Sequence, residues 1–506
     1  MPSRGKKLAL NTISSLTLQV VTIVCGFILP RLILGEYGSD VNGLVHSITQ
    51  FLGVITLLDL GVGAVVQSSL YKPLAENDHD TISKVYVSAN RFFRRLAMIL
   101  LVYIAVLIIV YPPVAAKDWD YLYTAALIGA ISINTFSQYY FGIVNTLLLN
   151  SDQKGYIQYT AQIVALVLNT AVCAVLINFG ASIQIVKLTT SVIFLCRPLY
   201  LYYYVKRHYK INQKITYDEE PIKQKWNGMA QHFASFVLSG TDNIVLTLCS
   251  TMANVSIYSV YNTVIIGVKN ALLSITNGFQ SVMGEMLAKK ENDKLFHFFG
   301  YVEWLMHTGT TLLFGCTGVL IVSFVTVYTK GVDDADYFQP LFAVLIVAAN
   351  AGHCLRLPYN ILILAAGHYK QTQSNYIIAM IMNIVLSVAA VWNFGLIGVA
   401  IGTLAAMGYQ TVWMAWYDSK NIISWPFKNF VKQCGVDLLT VVIASVATFK
   451  IPMVSDTYFW FFVRAAEVFA VWVVITGVIN YIFYRERTAY VVSKIFGKIK
   501  RKKTVQ

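Results

Sequence analysis

Charge is what this chain has least of. Only 13% of its 506 residues are Asp, Glu, Lys or Arg, against 57% hydrophobic residues and a mean hydropathy of +0.60. That balance excludes a string of soluble domains and marks a membrane protein. Cysteine is sparse as well: Cys25, Cys173, Cys196, Cys249, Cys316, Cys354 and Cys434 show no CxxC spacing and lie in or beside apolar runs. They support neither a disulfide framework nor a zinc site. Catalytic signatures are missing too, with no GxxxxGK[ST] loop, no GxSxG elbow, no HExxH and no paired carboxylates in an exposed loop. The longest loop on the expected outer side, 328–339, is too short to shape an enzyme site. An enzyme is therefore not expected, and neither is a cofactor. Any work done by the chain would draw on a H⁺ or Na⁺ gradient, the membrane potential or the gradient of the substrate itself. The formal charge of +14 does not point to nucleic acid, because no soluble stretch is long enough to form a basic domain.

What the chain has is apolar runs. About 20 apolar residues cross a bilayer core as a helix, the one open-ended form that satisfies its own backbone. Fourteen such runs are expected: 10–34, 44–67, 96–115, 121–149, 156–178, 183–204, 229–249, 255–284, 298–327, 340–364, 376–393, 396–416, 433–449 and 459–484. The first follows Arg4, Lys6 and Lys7 but is too long for a signal peptide and has no evident cleavage site, so it reads as a retained span. The loops divide by charge. Thirty Lys and Arg fall on one side, and only Lys117, Lys330 and Lys450 on the other. The positive-inside rule then places both termini in the cytoplasm. Beyond the last span, Val491, Val492, Ile495, Phe496 and Ile499 recur at helical spacing among lysines, which suits either a short interfacial helix on anionic lipid or a solvated basic tail.

The chain also repeats itself at an offset near 215 residues. Asn178-Phe179-Gly180 matches Asn393-Phe394-Gly395, Asn169 matches Asn383, Lys154 matches Lys370, and Leu74-Ala75-Glu76-Asn77-Asp78 matches Leu287-Ala288 with Glu291-Asn292-Asp293. The expected fold is an all-α polytopic membrane protein of about fourteen helices, with two parallel six-helix repeats around a central cavity and an appended C-terminal helix pair. Its parts would be a lobe at 1–205, a cytoplasmic linker at 206–228, a second lobe at 229–417, the appended pair at 433–484 and a basic tail at 485–506. Parallel repeats are a transporter architecture.

Eleven charged residues lie inside the runs, and each would cost roughly 2.5–3.5 kcal/mol facing lipid at the bilayer centre. Several have local explanations. Lys187 and Arg31 can snorkel from the outer ends of their spans, Asp437 is near the cytoplasmic end of its own, Glu303 and His307 are a local polar pair one turn apart, and Arg464 and Glu467 are i, i+3 neighbours. Arg197, Lys269 and Asp242 fall near mid-span, with Asp59 and Arg356 about a turn away. Two readings stand for them: a shared central cavity, or buried ion pairs such as Asp59 with Lys269. If Arg31, Arg197, Lys269 and Arg356 line a cavity against Asp59 and Asp242, it is net cationic and selects an anion such as a diphosphate. The run Gln138-Tyr139-Tyr140-Phe141 with Tyr258, Tyr261 and Tyr359 could stack on sugar rings or simply fill the interior.

The segments Phe27-Ile28-Leu29-Pro30-Arg31-Leu32-Ile33-Leu34-Gly35-Glu36-Tyr37-Gly38, Asn42-Gly43-Leu44 and Leu57-Leu58-Asp59-Leu60-Gly61-Val62-Gly63 resemble the opening of polysaccharide biosynthesis transporters of the multidrug/oligosaccharidyl-lipid/polysaccharide exporter superfamily. The Pro73 to Asp78 loop and the Leu149 to Lys154 turn resemble them as well. The resemblance implies an O-antigen-type flippase in the bacterial cytoplasmic membrane, moving undecaprenyl-diphosphate-linked repeat units to the outer leaflet by alternating access. On it, Arg31 binds the diphosphate or an acidic sugar and Asp59 sits in a matching Asp-Leu-Gly motif. Arg197, Lys269 and Arg356 as further substrate contacts, and Asp242 beside Asp59 as an ion-coupling carboxylate, rest on the charge argument alone. The implied partners are the polyprenyl-diphosphate oligosaccharide, anionic lipids, a polysaccharide polymerase and glycosyltransferases. The competing class is a multidrug or cation exporter of the same superfamily, for which acidic residues would dominate the cavity.

Overall fold

The computed structural model describes residues 4–58, 62–217, 229–276, 279–451 and 457–489. Asp59, positions 218–228 of the linker and the tail from position 490 lie outside the described residues. Among the described residues there is no strand, and every expected apolar run falls on helix. The helices are α1 (Arg4–Gly53), α2 (Val62–Glu76), α3 (His79–Ala115), α4 (Tyr121–Ser137), α5 (Ile143–Ser151), α6 (Gly155–Asn178), α7 (Ile183–His208), α8 (Met229–Cys249) and α9 (Met252–Thr276). They continue with α10 (Phe279–Ala288), α11 (Asn292–Tyr328), α12 (Pro340–Leu355), α13 (Leu357–Ala365), α14 (Tyr369–Phe394), α15 (Leu396–Asn421), α16 (Phe427–Thr448) and α17 (Tyr458–Phe483). Ten helical stretches among the described residues are long and apolar enough to cross a membrane, and the chain is a multi-pass membrane protein. Large apolar side chains such as Val102, Val446 and Phe462 stand exposed on helix faces, as lipid-facing positions do.

The chain forms two compact units, Met1–Ser259 and Val260–Gln506, with α9 beginning in the first and continuing in the second. In the first, α1 is bent at Gly38, whose φ of 83° and ψ of 177° interrupt the helix and separate two expected spans. The Asn42-Gly43 pair then fixes how α1 meets the start of α9. Asn42 Nδ2 donates to Ser256 Oγ at 2.7 Å, and a Cβ on Gly43 would overlap the Met252 carbonyl. Gly43→Ala is expected to destabilise the chain by about 1–3 kcal/mol, the range of an overpacked interior. A lowered thermal unfolding midpoint in detergent checks this, and an unchanged midpoint would refute the close approach.

The turn from α5 to α6 ties three chain segments together. Asp152 accepts from Lys154 at 2.6 Å, from Tyr209 at 2.6 Å and from Lys7 at 3.3 Å, and Asn11 receives the Tyr156 N–H at 2.7 Å. Burial pushes the Asp152 carboxyl up, but the hydrogen bonds from Lys154 and Tyr209 and the charges of Lys154 and Lys7 outweigh it and hold it below its ordinary range. A lowered folded value means that this carboxylate stabilises the fold above about pH 4, where it is ionised even when unfolded, and ceases to do so as pH falls through the folded value. Asp152→Asn is thus expected to cost about 1–3 kcal/mol at neutral pH. Its deficit against wild type should shrink on acidification, and a deficit independent of pH would exclude the charge as its source.

The internal repeat is visible in backbone conformation. Positive φ occurs at Asn77 and Lys290, at Gln153 and Gly367, and at Gly180 and Gly395, three pairs near the offset that the sequence shows. The first two pairs close their helices alike, with Asp78 N–H to Pro73 O and Glu291 N–H to Met286 O, then Lys154 N–H to Leu149 O and His368 N–H to Ile363 O. These are the C-terminal closures that a left-handed residue permits.

The appended helices α16 and α17 belong to the second unit and lie against α11. Trp472 of α17 is fully buried, clustered with Cys316, Ala444 and Val468, and its ring occupies the space a side chain on Gly315 would need.

Candidate functional site

In the second unit the sequence places a proline where it interrupts a span. Pro358 has no N–H to give and its ring would crowd the preceding turn, and the helix divides there into α12 and α13 with Arg356 between them. The division is small, because Arg356 N–H still reaches Gly352 O and Asn360 N–H still reaches Arg356 O, each at 3.1 Å. Arg356 is only 5% exposed. Its Nη2 donates to His353 Nδ1 at 3.0 Å, which requires that nitrogen to be unprotonated, since a guanidinium can only donate. Its Nε and Nη1 have no hydrogen-bond partner among the described residues. Lys269 of α9 lies within electrostatic reach of both Arg356 and His353.

The arrangement is costly. A buried ion carries a penalty of several kcal/mol, and each unpaired donor about 1–3 kcal/mol more. Two unpartnered guanidinium donors among the described residues, with Lys269 and His353 nearby and no carboxylate bonded to the guanidinium, form a cationic centre suited to an anion. A guanidinium edge matches two oxygens of a phosphate or carboxylate at once.

Lys269 and Arg356 are thus brought together. The remaining candidates lie in the first unit or outside the described residues. Arg31 is half-buried on α1, its guanidinium lying beside Gly35 one turn further along the helix. Arg197 of α7 donates to Gln158 Oε1 at 2.8 Å, leaves its Nε without a partner among the described residues, and borders a cavity of about 440 Å³ with Tyr156, Ile157 and Tyr200. Asp242 is buried and accepts from Tyr258 at 3.0 Å. Asp59 lies outside the described residues.

Charges with local explanations divide. Arg464 and Glu467 pair at 2.8 Å. Lys187 is half-buried within electrostatic reach of His46. Glu303 and His307 are more than a local pair: Tyr359 lies between them, Asp437 is bonded to His307, and all four residues are buried. The aromatic candidates are interior. Tyr139, Tyr258, Tyr261 and Tyr359 are buried, and Tyr140 lies under the Arg94 guanidinium at 5.0 Å. His353 was not singled out from the sequence, although its position three residues before Arg356 puts it on the same helix face.

No protein-family model matches this chain, and no curated protein does. Solved structures do. A lipid II flippase, MurJ, in its inward closed conformation aligns with a TM-score of 0.69 and 13% identity over 94% of this chain and 99% of its own. An inward-facing multidrug resistance transporter of the MATE family, in the MOP superfamily, aligns at 0.62 and 14% identity over 80% of this chain and 98% of its own. A eukaryotic MATE transporter aligns at 0.55 and 12% identity, over 86% and 98%. The chain has the fold of these transporters and flippases, none of which is described as an enzyme.

Proposed function

We propose that this protein is a flippase for polyprenyl-diphosphate-linked oligosaccharides, carrying them from the inner to the outer leaflet of the bacterial cytoplasmic membrane. The observation that carries the reading is Arg356, buried at a helix break beside His353 and Lys269 with two donor groups unpartnered. A diphosphate supplies oxygens to such donors, and the apolar tail of the carrier stays in the bilayer while the head group crosses. The fold shared with a lipid II flippase supports the same class of cargo. The two six-helix lobes, 1–205 and 229–417, would alternate access to the head group, with Arg31 and Arg197 as further contacts in the first lobe. Asp59 and Asp242 would be available to a coupling ion.

Reconstitution tests this. Proteoliposomes holding the full chain and fluorescent undecaprenyl-diphosphate sugars should translocate at least one of a panel differing in sugar composition, and Arg356→Gln should not. Efflux of organic cations without movement of any diphosphate lipid would replace the proposal with the exporter class.

A further inference from the structure

The buried groups of α11, α13 and α16 form a continuous hydrogen-bonded chain. Asp437 Oδ2 and His307 Nδ1 are 2.6 Å apart. His307 Nε2 is 3.4 Å from the Tyr359 hydroxyl, which donates to Glu303 Oε1 at 2.7 Å. Trp425 Nε1 donates to both Glu303 oxygens at 3.0 and 3.1 Å, and Gln433 donates to the other Asp437 oxygen at 3.3 Å. His307 is 0% exposed. The two carboxylates nevertheless open on different spaces. Asp437 borders a largely apolar cavity of about 430 Å³ between α11, α12 and α16. Glu303 borders one of about 360 Å³ beside Lys432, Arg485 and Arg487, at the end of α17.

Counting hydrogens defines the state. Tyr359 has one proton and gives it to Glu303, so His307 Nε2 must itself donate to the Tyr359 oxygen. The short contact to Asp437 then needs a second proton, on either Nδ1 or the carboxyl. The Asp437–His307 pair therefore holds two protons when every bond is made. If it loses one, Nε2 becomes an acceptor and competes with Glu303 for the single Tyr359 hydrogen. The hydroxyl then has two stable orientations, toward Glu303 or toward His307. Tyr359 lies three residues beyond Arg356, in the first turn of α13, so the reorienting hydroxyl and the cationic side chain are carried one helical turn apart along the chain.

We propose that Glu303, Tyr359, His307 and Asp437 are a proton-binding relay that joins two cavities and passes its protonation state to Arg356 through Tyr359. A proton taken up by Asp437 is shared with His307; donation from Nε2 to Tyr359, with release of the Tyr359 proton to Glu303, moves one proton along the chain and restores the neutral tyrosine. Other charges and titratable groups act on the relay from the neighbouring elements: Cys434 from α16, Asp418 from α15, and Tyr484 and Arg487 beyond α17. The link to Arg356 rests on the function proposed above, whereas proton binding does not.

Infrared difference spectra of the full chain in nanodiscs, stepped between about pH 8 and 5, test the relay without cargo. A carboxylic C=O band should appear on acidification, lose its Asp437 component in Asp437→Asn, and move its midpoint by about one pH unit in His307→Gln. Tyr359→Phe, which removes one oxygen from the interior, should split the titration of Glu303 from that of Asp437. A wild-type spectrum with no band assignable to Asp437 or Glu303, or a midpoint unmoved by both His307→Gln and Tyr359→Phe, overturns the relay. Coupling is read with inorganic pyrophosphate as the anion and a pH dye in weak buffer: binding to wild type should exchange protons, and binding to Tyr359→Phe should not. Pyrophosphate binding without proton exchange in wild type overturns the coupling. Failure of pyrophosphate to bind, with the carboxyl titration intact, instead overturns the Arg356 reading and leaves the proton site standing.

Discussion

Arg356→Gln is expected to reduce translocation of diphosphate-linked cargo by roughly thirtyfold to several-thousandfold. The range follows from about 2–5 kcal/mol for truncating one partner of a buried charged contact, at 1.4 kcal/mol per factor of ten. Arg356→Lys keeps the charge but loses the planar fork, so it should fall between the two. Stability should move the other way. The guanidinium is 5% exposed with Nε and Nη1 unpartnered among the described residues, so replacing it by a neutral amide removes a buried charge that the fold does not satisfy. The unfolding midpoint of Arg356→Gln should equal or exceed that of wild type. A residue kept for structure would give lost activity together with lost stability, so that combination would count against a binding role. Measuring initial translocation rates and thermal unfolding on one preparation separates the two.

The second large effect is expected at the appended helices. Trp472→Ala should cost about 3–5 kcal/mol, the usual range for emptying a buried aromatic site, because the ring is wholly enclosed against α11 and α16. Gly315→Leu should also destabilise, since a side chain there meets the Trp472 ring directly. The double variant should recover part of the sum of the two losses, because the new leucine fills the space the indole leaves. Additive losses in a double-mutant cycle would mean that the two positions do not touch. This contact has a functional consequence. It helps hold α16 on α11, and Asp437 reaches His307 only because of that packing.

Several elements were legible from residues alone. Apolar runs of spanning length became helices, since in lipid each segment must satisfy its own backbone and the decision is local. The Asn-Phe-Gly triplets ended helices at Gly180 and Gly395, because a residue with positive φ is needed there and glycine supplies it at least cost. The i, i+3 pair of Arg464 and Glu467 was legible for the same reason, as both partners lie on one turn. Arg356 drew notice as a cation about a turn from mid-span, whereas the break at Pro358 fell within the span expected to run unbroken over 340–364. His353 drew no notice, although one helical turn connects it to Arg356.

Other features depended on contacts distant in sequence. Asp437 near the end of its span reads as a snorkelling carboxylate until α16 is placed on α11, which joins it to a histidine 130 positions away. Glu303 and His307 read as a local pair until α13 inserts Tyr359 between them. Composition, periodicity and turn chemistry by themselves determined that this chain is an all-helical, multi-pass, internally repeated membrane protein, because hydropathy and backbone satisfaction act segment by segment. Which buried charges meet, and which are left with free donors, was decided only by the tertiary structure. The energy of a charge in low dielectric depends on what lies within a few ångströms of it, and helices far apart in sequence supply those neighbours.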